Sequence, residues 1–486
     1  MRRFICQMYQ RGTNPALANS ARWATQPAHV PKRRRTFNSG QSIDVARPAA
    51  YHPENSAGAR VTAVAMTLAP AGTIRQVRSI CPTMSYGLEG VRVLDLTSDI
   101  AGPFCTKILA GLGAEVIKLE APYGGDPSRD YGSFLHDEPN PETSALFLDL
   151  NMGKKSVTLN LHSREGTLIV KALAQEADIL VEDLNPGQAS DLGIGYADLE
   201  PANPRLVYTS ITGYGQTGPY RDYQGSDMVF FATGGEMCSN GEPDRPPVRV
   251  ANHITKTQAG NMAAAATLMT LRGVRSTGVG QHLDVSTFET AASSVDRRLQ
   301  YLTCYAYNGR VAIRADNIAA SYPAGLYPCK DGYFHIAGGG PRFFSRTVAM
   351  MGMPELLKDP RFSSTEALLD SAMKDEFDTI FVPWVTEKTR AELIAAAQAH
   401  RVYASPLLTP EDVHQNPHFA CRDYFQPVDH AVAGRHRYPG APAKMTGMSW
   451  RMDHAPLLGE HNQEILAQRL GYSRADMVRL RRARII

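Results

Sequence analysis

Short apolar runs alternate with helix-like patterns in the chain after residue 86. Residues 87–96 read as a lead-in and a buried strand, and the apolar spacing over 101–113 predicts a helix with Pro103 in its first turn. The apolar run at 114–120 predicts a second strand. Because strand, helix and strand in this order pair in parallel, the pattern indicates a parallel sheet.

The same alternation continues through the middle of the chain. It predicts further strands over 156–161, 177–182, 206–211 and 281–285, and helices over 165–176 and 259–271. Repeated units of this kind predict a doubly wound α/β domain. From about residue 310 the pattern changes to a hairpin over 326–337 and helical stretches near 341–357, 366–381, 387–400 and 473–484.

Residues 1–83 differ from the rest in charge. They hold twelve Lys and Arg against two acids, a charge of +10, so the other 403 residues carry −7 and the total is +3. With no sustained apolar period, the segment is expected to be disordered. It resembles a transit peptide, and Lys32–Arg35 could be a nucleic-acid patch. We favour an extension ahead of a true start at Met84, where ordered patterning begins.

Composition excludes several classes of protein. Apolar residues make up 43% and charged residues 20%, as in ordinary globular proteins, and no run reaches the roughly 20 apolar residues of a membrane span. The small net charge argues against a nucleic-acid binder. Seven widely spaced cysteines without zinc spacing predict reduced thiols and no metal site. We therefore expect a cytoplasmic protein, or a mitochondrial matrix protein if residues 1–83 are a transit peptide.

Common catalytic motifs are missing from the sequence. It has no phosphate-binding P-loop, no dinucleotide fingerprint at the right place, no H-E-x-x-H and no G-x-S-x-G. Asp227 opens an apolar segment after a loop, so it is either a helix cap or an active-site acid. The residues alone indicate a two-domain α/β protein that acts as an enzyme. They do not specify which reaction it catalyses.

Several segments, taken in order, resemble the class III CoA-transferases (the CaiB/BaiF family, with formyl-CoA transferase-like members). The resemblance covers about residues 86–486, nearly the whole body of the chain. The matching segments are 87–96, 101–104, 112–120, 125–129, 154–159, 203–208, 213–219, 277–281, 359–362 and 455–461.

The resemblance implies both a fold and a reaction. A Rossmann-like large domain would be built from residues 84–305 and from 406–486, which includes a linker, with a smaller α+β domain at 306–405. Two subunits would interlock, as a homodimer or as a heteromer with a homologue. The partners would be an acyl-CoA and a carboxylic acid, with CoA as substrate and no permanently bound cofactor, nucleic acid or membrane.

In this family a carboxylate attacks the thioester, forms a mixed anhydride and releases CoA thiolate. The nucleophilic aspartate lies four residues before a glycine that opens an Ala-rich helix. That glycine is Gly260 here, so the aspartate position is Lys256, which cannot form the anhydride.

The resemblance also implies a CoA site at the matched positions Lys118, Arg129, Lys154, Lys155, Leu159, Asp183 and Leu184. The family usually carries arginines where this sequence has Asn185 and Asp191, so positive charge is missing where phosphates would lie.

Three functions therefore stay open. The chain is an active CoA-transferase that uses Asp227 or another acid as nucleophile, or a catalytically silent subunit paired with a homologue that keeps the aspartate. The third is an acyl-CoA racemase or isomerase. For the racemase, the family's histidine before Asp227 is Ser226 here, so the acid–base pair is incomplete.

Overall fold

The structure is a computed structural model. It describes residues 86–486 except 243, 251, 294–296 and 312–320, so the predictions made for residues 1–83 lie outside the described residues. Among the helices it describes, none combines the length and apolar character that a membrane span requires.

A six-stranded parallel sheet forms the centre of the fold. Its strand order is β3-β2-β1-β4-β5-β6, so the winding reverses between β1 and β4. The predicted α/β class with a doubly wound sheet is thereby confirmed. The strands are β1 (Arg92–Leu96), β2 (Glu115–Glu120), β3 (Lys155–Thr158), β4 (Ile179–Glu182), β5 (Val207–Thr212) and β6 (Gln281–Ser286).

The helices predicted from the apolar spacing are present, together with others that it did not predict. In chain order they are α1 (Ala101–Gly111), α2 (Ala145–Leu150), α3 (Arg164–Glu176), α4 (Gln188–Asp191), α5 (Tyr196–Leu199), α6 (Asp227–Thr233), α7 (Ile254–Thr277), α8 (Thr287–Ser293), α9 (Arg297–Asn308), α10 (Gly340–Met351), α11 (Ser371–Thr386), α12 (Arg390–Ala399), α13 (Pro410–His414), α14 (Pro417–Cys421) and α15 (Arg474–Arg482).

Apolar side chains cover both faces of the parallel sheet. Along β1, Val93 belongs to one hydrophobic cluster and Leu94 to the other, as expected for a strand buried on both sides. The cluster that contains Leu94 also includes Ile465 and Ile486 from the end of the chain. The core around this sheet is therefore assembled from segments far apart in sequence.

A separate hydrophobic cluster lies between residues 322 and 402. It packs α10, α11 and α12 against a three-stranded antiparallel sheet of β7 (Ala324–Cys329), β8 (Gly332–Ala337) and β9 (Tyr403–Pro406). The hairpin predicted over 326–337 is correct. The helix predicted over 341–357 stops at Met351, because Gly352 adopts a left-handed φ of 75° that ends the helix.

One further hairpin, formed by β10 (Phe425–His430) and β11 (Gly434–Pro439), was not predicted from the sequence. Five of the six residues of β11 are exposed, so no apolar run marks this strand. The other correction concerns α7, which is longer than predicted: it starts at Ile254, before its Ala-rich part.

Candidate active site

The loops that follow four parallel strands line a cleft of about 430 Å³. Ser98 and Asp99 follow β1, Asp183 follows β4, Gly213 follows β5 and Thr287 follows β6. In doubly wound sheets, ligands bind beyond the carboxyl ends of the strands, where the winding reverses. The cleft lies at this position.

Helix α7 brings Lys256 into the cleft. The helix crosses α1 so closely that a Cβ on Gly260 would lie 2.4 Å from the carbonyl oxygen of Ala101, so this position requires glycine. Residues four apart share one face of a helix. The face that meets α1 at Gly260 therefore presents Lys256 one turn earlier, next to the loop that precedes α1.

The side chain of Lys256 forms an ion pair with the carboxylate of Asp99 through Oδ2. About a quarter of each side chain remains exposed, 23% for Lys256 and 25% for Asp99. The other carboxylate oxygen of Asp99, Oδ1, is buried and has no hydrogen-bond partner among the described residues. The negative charge of Asp99 also raises the pKa of the Tyr131 phenol.

Three consecutive backbone N–H groups fix the loop that carries Asp99. The N–H of Thr97 donates to Asp95 at 3.0 Å, that of Ser98 to Asp183 at 2.8 Å, and that of Asp99 to Asp126 at 3.1 Å. Asp99 itself has a φ of 64°, a left-handed conformation that costs free energy in a non-glycine residue. The loop is therefore held in a strained conformation by three acidic side chains.

Asp227, the candidate catalytic acid from the sequence, lies next to the first turn of α7. Its side chain is buried and its Oδ1 accepts a hydrogen bond from the backbone N–H of Lys256 at 2.9 Å. His253, the cap residue of α7, makes no side-chain cap bond, so Asp227 supplies an acceptor to the first turn of this helix. It is not among the residues that line the cleft.

Three of the predicted phosphate contacts are buried in ion pairs. Lys118 pairs with Asp126 at 2.7 Å, Arg129 with Glu120 at 2.8 Å, and Lys154 with Asp95 at 3.1 Å. All three cationic side chains have no exposed surface. A side chain without exposed surface offers no donor to a phosphate, so the structure gives the predicted contact no support at these positions.

Lys155 and Leu159 do not line the cleft. Lys155 is partly exposed and bridges Glu115 and Glu464 at 2.8 and 2.6 Å. Leu159 is buried in the hydrophobic core beneath the sheet. A CoA contact from either residue stays a prediction.

Asp183 and Leu184, in contrast, line two adjacent clefts. The second has a volume of about 400 Å³ and lies among the loops that follow β1, β2 and β4. Burial raises the pKa of Asp183 well above its usual range, which favours the uncharged acid. Of the seven positions expected to bind CoA, these two are the ones that the structure places on a cleft wall.

Asp99 is the residue that sequence reasoning missed. The signal was present, because Asp99 follows directly after the first parallel strand, where acids come to lie in the crevice of a doubly wound sheet. What the sequence did not show is its neighbour, since Lys256 is 157 positions further along the chain.

These features define an α/β protein with an acid–ammonium pair in a cleft at the carboxyl edge of a parallel sheet. The sequence model described as CoA-transferase family III matches residues 88–462. The chain belongs to this family, and the predicted resemblance is confirmed.

The chain is similar to named relatives over most of its length. It is 33% identical to the succinyl-CoA–D-citramalate CoA-transferase of Chloroflexus aurantiacus, over 82% of this chain and 98% of that protein. It is 31% identical to the BbsE subunit of succinyl-CoA:(R)-benzylsuccinate CoA-transferase from Thauera aromatica, over 79% and 95%. The crystal structure of a CaiB/BaiF family protein from Brucella suis matches with a TM-score of 0.70 and 30% identity, over 79% of this chain and 99% of that one.

Proposed function

We propose that this protein transfers CoA from an acyl-CoA thioester to a free carboxylic acid. The observation that carries the proposal is the family match, which spans residues 88–462 and so includes every strand of the parallel sheet and both clefts. CoA transfer requires a carboxylate in an accessible cleft, and the cleft beyond β1 contains Asp99.

Acyl transfer passes through a tetrahedral oxyanion, which backbone N–H groups can stabilise. Helix α1 begins at Ala101, two residues after Asp99, and its cap residue Ile100 makes no side-chain cap bond. The first N–H groups of a helix have no intrahelical acceptor, and the helix dipole favours negative charge there. Ala101 lines the cleft, which supports a role for this helix end in oxyanion stabilisation.

We further propose a dicarboxylic acyl group as the donor, because two relatives carry succinyl-CoA in their names. Arg221 lines the cleft, and its guanidinium is 42% exposed and donates to the carbonyl oxygen of Pro186 at 3.1 Å. A guanidinium binds a carboxylate through two parallel N–H donors. In Arg221→Met the KM for succinyl-CoA should rise, whereas that for butyryl-CoA, which lacks the distal carboxylate, should not change.

A silent subunit of a heteromer is the second candidate function. It is favoured by Lys256 at the position of the family's nucleophilic aspartate, and by the relative that is named as a subunit. In that case this chain would contribute its fold and a homologue would contribute the carboxylate. The compartment and the oligomeric state stay predictions.

The test is CoA transfer by the purified full-length chain. Succinyl-CoA is mixed with glutarate, D-citramalate, benzylsuccinate or oxalate, and the CoA thioesters formed are measured by mass spectrometry. The proposal predicts a new thioester that forms only when an acceptor is present. Hydrolysis alone, or no reaction with any acceptor, would contradict it, and transfer that requires a co-expressed homologue would establish the silent subunit.

A further inference from the structure

We propose that Asp99 is the carboxylate that accepts the acyl group, and that Lys256 serves as its counter-ion and then as that of the released CoA thiolate. This inference rests on the CoA transfer proposed above. It assigns the nucleophile to the loop after β1, because the position of the family's aspartate holds an ammonium group.

The other carboxylates near the cleft are less suited to the reaction. Asp183 accepts the N–H of Ser98 at 2.8 Å, and its burial favours the uncharged form, which is a weak nucleophile. Asp222 lies at the rim with 84% of its side chain exposed, paired with Arg221. Asp227 binds the backbone of Lys256 and does not line the cleft. Among the described residues that line the cleft, Asp99 remains.

The conformation and burial of Asp99 lower the stability of the fold, and a purely structural role does not explain why they are present. Its backbone is in the left-handed region, and its Oδ1 is buried without a donor among the described residues. Backbone strain and unsatisfied buried polar atoms both lower stability, and both occur preferentially at functional sites. The other oxygen of Asp99, Oδ2, is in contact with the ammonium group of Lys256.

Lys256 stays paired with an anion through each step of the reaction. An Asp99 oxygen attacks the thioester carbonyl, the carbon–sulfur bond breaks, and a mixed anhydride and CoA thiolate result. Asp99 is then neutral, and the thiolate becomes the anion next to the ammonium. The thiolate attacks the Asp99 acyl carbon and releases the donor acid. The acceptor acid reverses both steps and regenerates the carboxylate, so no oxidant or further reactant is needed.

Two helix ends add to the positive potential at Asp99. Helix α1 begins at Ala101 and α7 begins at Ile254, and Lys256 lies in the first turn of α7. The amino-terminal end of a helix carries partial positive charge that stabilises anions within the first turn. Thiolate and oxyanion therefore form in a region that already favours negative charge.

The test traps the acyl enzyme on the unmodified protein. Full-length protein is incubated with succinyl-CoA without an acceptor, treated with hydroxylamine, digested and mapped by mass spectrometry. Hydroxylamine attacks the enzyme thioester and leaves a hydroxamate on the acylated residue. The inference predicts a hydroxamate on Asp99.

Controls separate the inference from the proposed function. Asp99→Asn should lose the hydroxamate and at least about 1,000-fold in transfer rate, with its fold checked by circular dichroism. The matched variant Asp429→Asn, at an exposed acid of β10 that does not line the cleft, should keep both. A hydroxamate on another acid, or none in a preparation that transfers CoA, would overturn the inference and leave the function standing. If neither transfer nor trapping occurs, the proposed function fails and the inference falls with it.

Discussion

The carboxylate of Asp227 accepts a hydrogen bond from the backbone N–H of Lys256 at 2.9 Å. The two residues lie 29 positions apart in the sequence and belong to different helices. The bond ties the start of α6 to the first turn of α7, where an acceptor is needed because the cap residue provides none. Asp227 therefore fixes the backbone from which the Lys256 side chain reaches Asp99.

Two substitutions at Asp227 should separate anchoring from catalysis. Asp227→Ala removes the acceptor and should lower the free energy of unfolding by about 1 kcal/mol, the usual value of a helix cap. Asp227→Asn keeps an acceptor oxygen, so its urea unfolding midpoint and its transfer rate should stay near those of the wild type. If Asp227→Asn abolishes transfer while remaining folded, Asp227 is the nucleophile and the present assignment is wrong.

The neighbouring residues Lys154 and Lys155 allow a buried ion pair to be compared with partly exposed ones. Lys154→Met leaves Asp95 buried without its partner and should destabilise the protein by about 3 to 5 kcal/mol. Lys155→Met breaks partly exposed pairs and should cost about 1 kcal/mol or less. Urea unfolding of both variants checks this. Equal unfolding midpoints would contradict the structural role given to Lys154, as would a folded Lys154→Met protein that specifically loses CoA binding.

Moving the carboxylate from position 99 to position 256 should move the nucleophile. Asp99→Asn alone should be inactive, whereas the double variant Asp99→Asn, Lys256→Asp has one carboxylate in the cleft again, at the family's usual position. We expect it to recover part of the transfer rate, measured with succinyl-CoA and an acceptor acid. Lys256→Asp alone brings two carboxylates together, which raises the pKa of one of them, so the pH range over which its rate changes should shift upward. A double variant no more active than Asp99→Asn would argue against the shared cleft.

Buried Glu182 predicts a pH dependence of stability. Burial raises its pKa to about 7, and its Oε2 accepts the N–H of Leu184 at 2.8 Å. In the unfolded chain the pKa of a glutamate is about 4.3. Between these values the native state holds a proton that the unfolded state has lost, so stability falls as pH rises from about 4.3 to 7. The stabilisation is complete below that window and absent above it.

Glu182→Gln should remove this contribution, which is of the order of 3 kcal/mol across the window. The measurement is the free energy of unfolding of wild type and variant from pH 5 to pH 7.5, where the difference between the two curves isolates Glu182 from other titrating groups. Parallel curves would show that Glu182 titrates alike in both states.

Much of the sheet could be predicted from the sequence because its strands are buried on both faces. In β1 and β2 most of the residues that are not charged are apolar and buried, such as Val93 and Leu94 in β1, and the helix between the strands carries apolar residues at helical spacing. Strand β11 was not predicted because its side chains are mostly exposed. The end of α10 was predicted too late in the chain, because Gly352 stops the helix although helical apolar spacing continues beyond it.

The site was harder to predict because charge in a sequence does not reveal burial. Lys118, Arg129 and Lys154 look like surface cations, yet each is paired with a carboxylate inside the fold. The pairing of Asp99 with Lys256 depends on α7 packing against α1 at Gly260, a contact that no local pattern shows. The position of Lys256 followed from the family resemblance, and the identity of its partner required the structure.

The most direct test traces a carboxylate oxygen of the acceptor acid to the enzyme, instead of measuring activity. If Asp99 is acylated and then released as described, one acceptor oxygen remains on its carboxylate after each turnover. Turnover of succinyl-CoA with ¹⁸O-labelled glutarate, followed by peptide mass spectrometry, should therefore place ¹⁸O on Asp99. Label on a different acid, or turnover that leaves Asp99 unlabelled, would contradict the central claim.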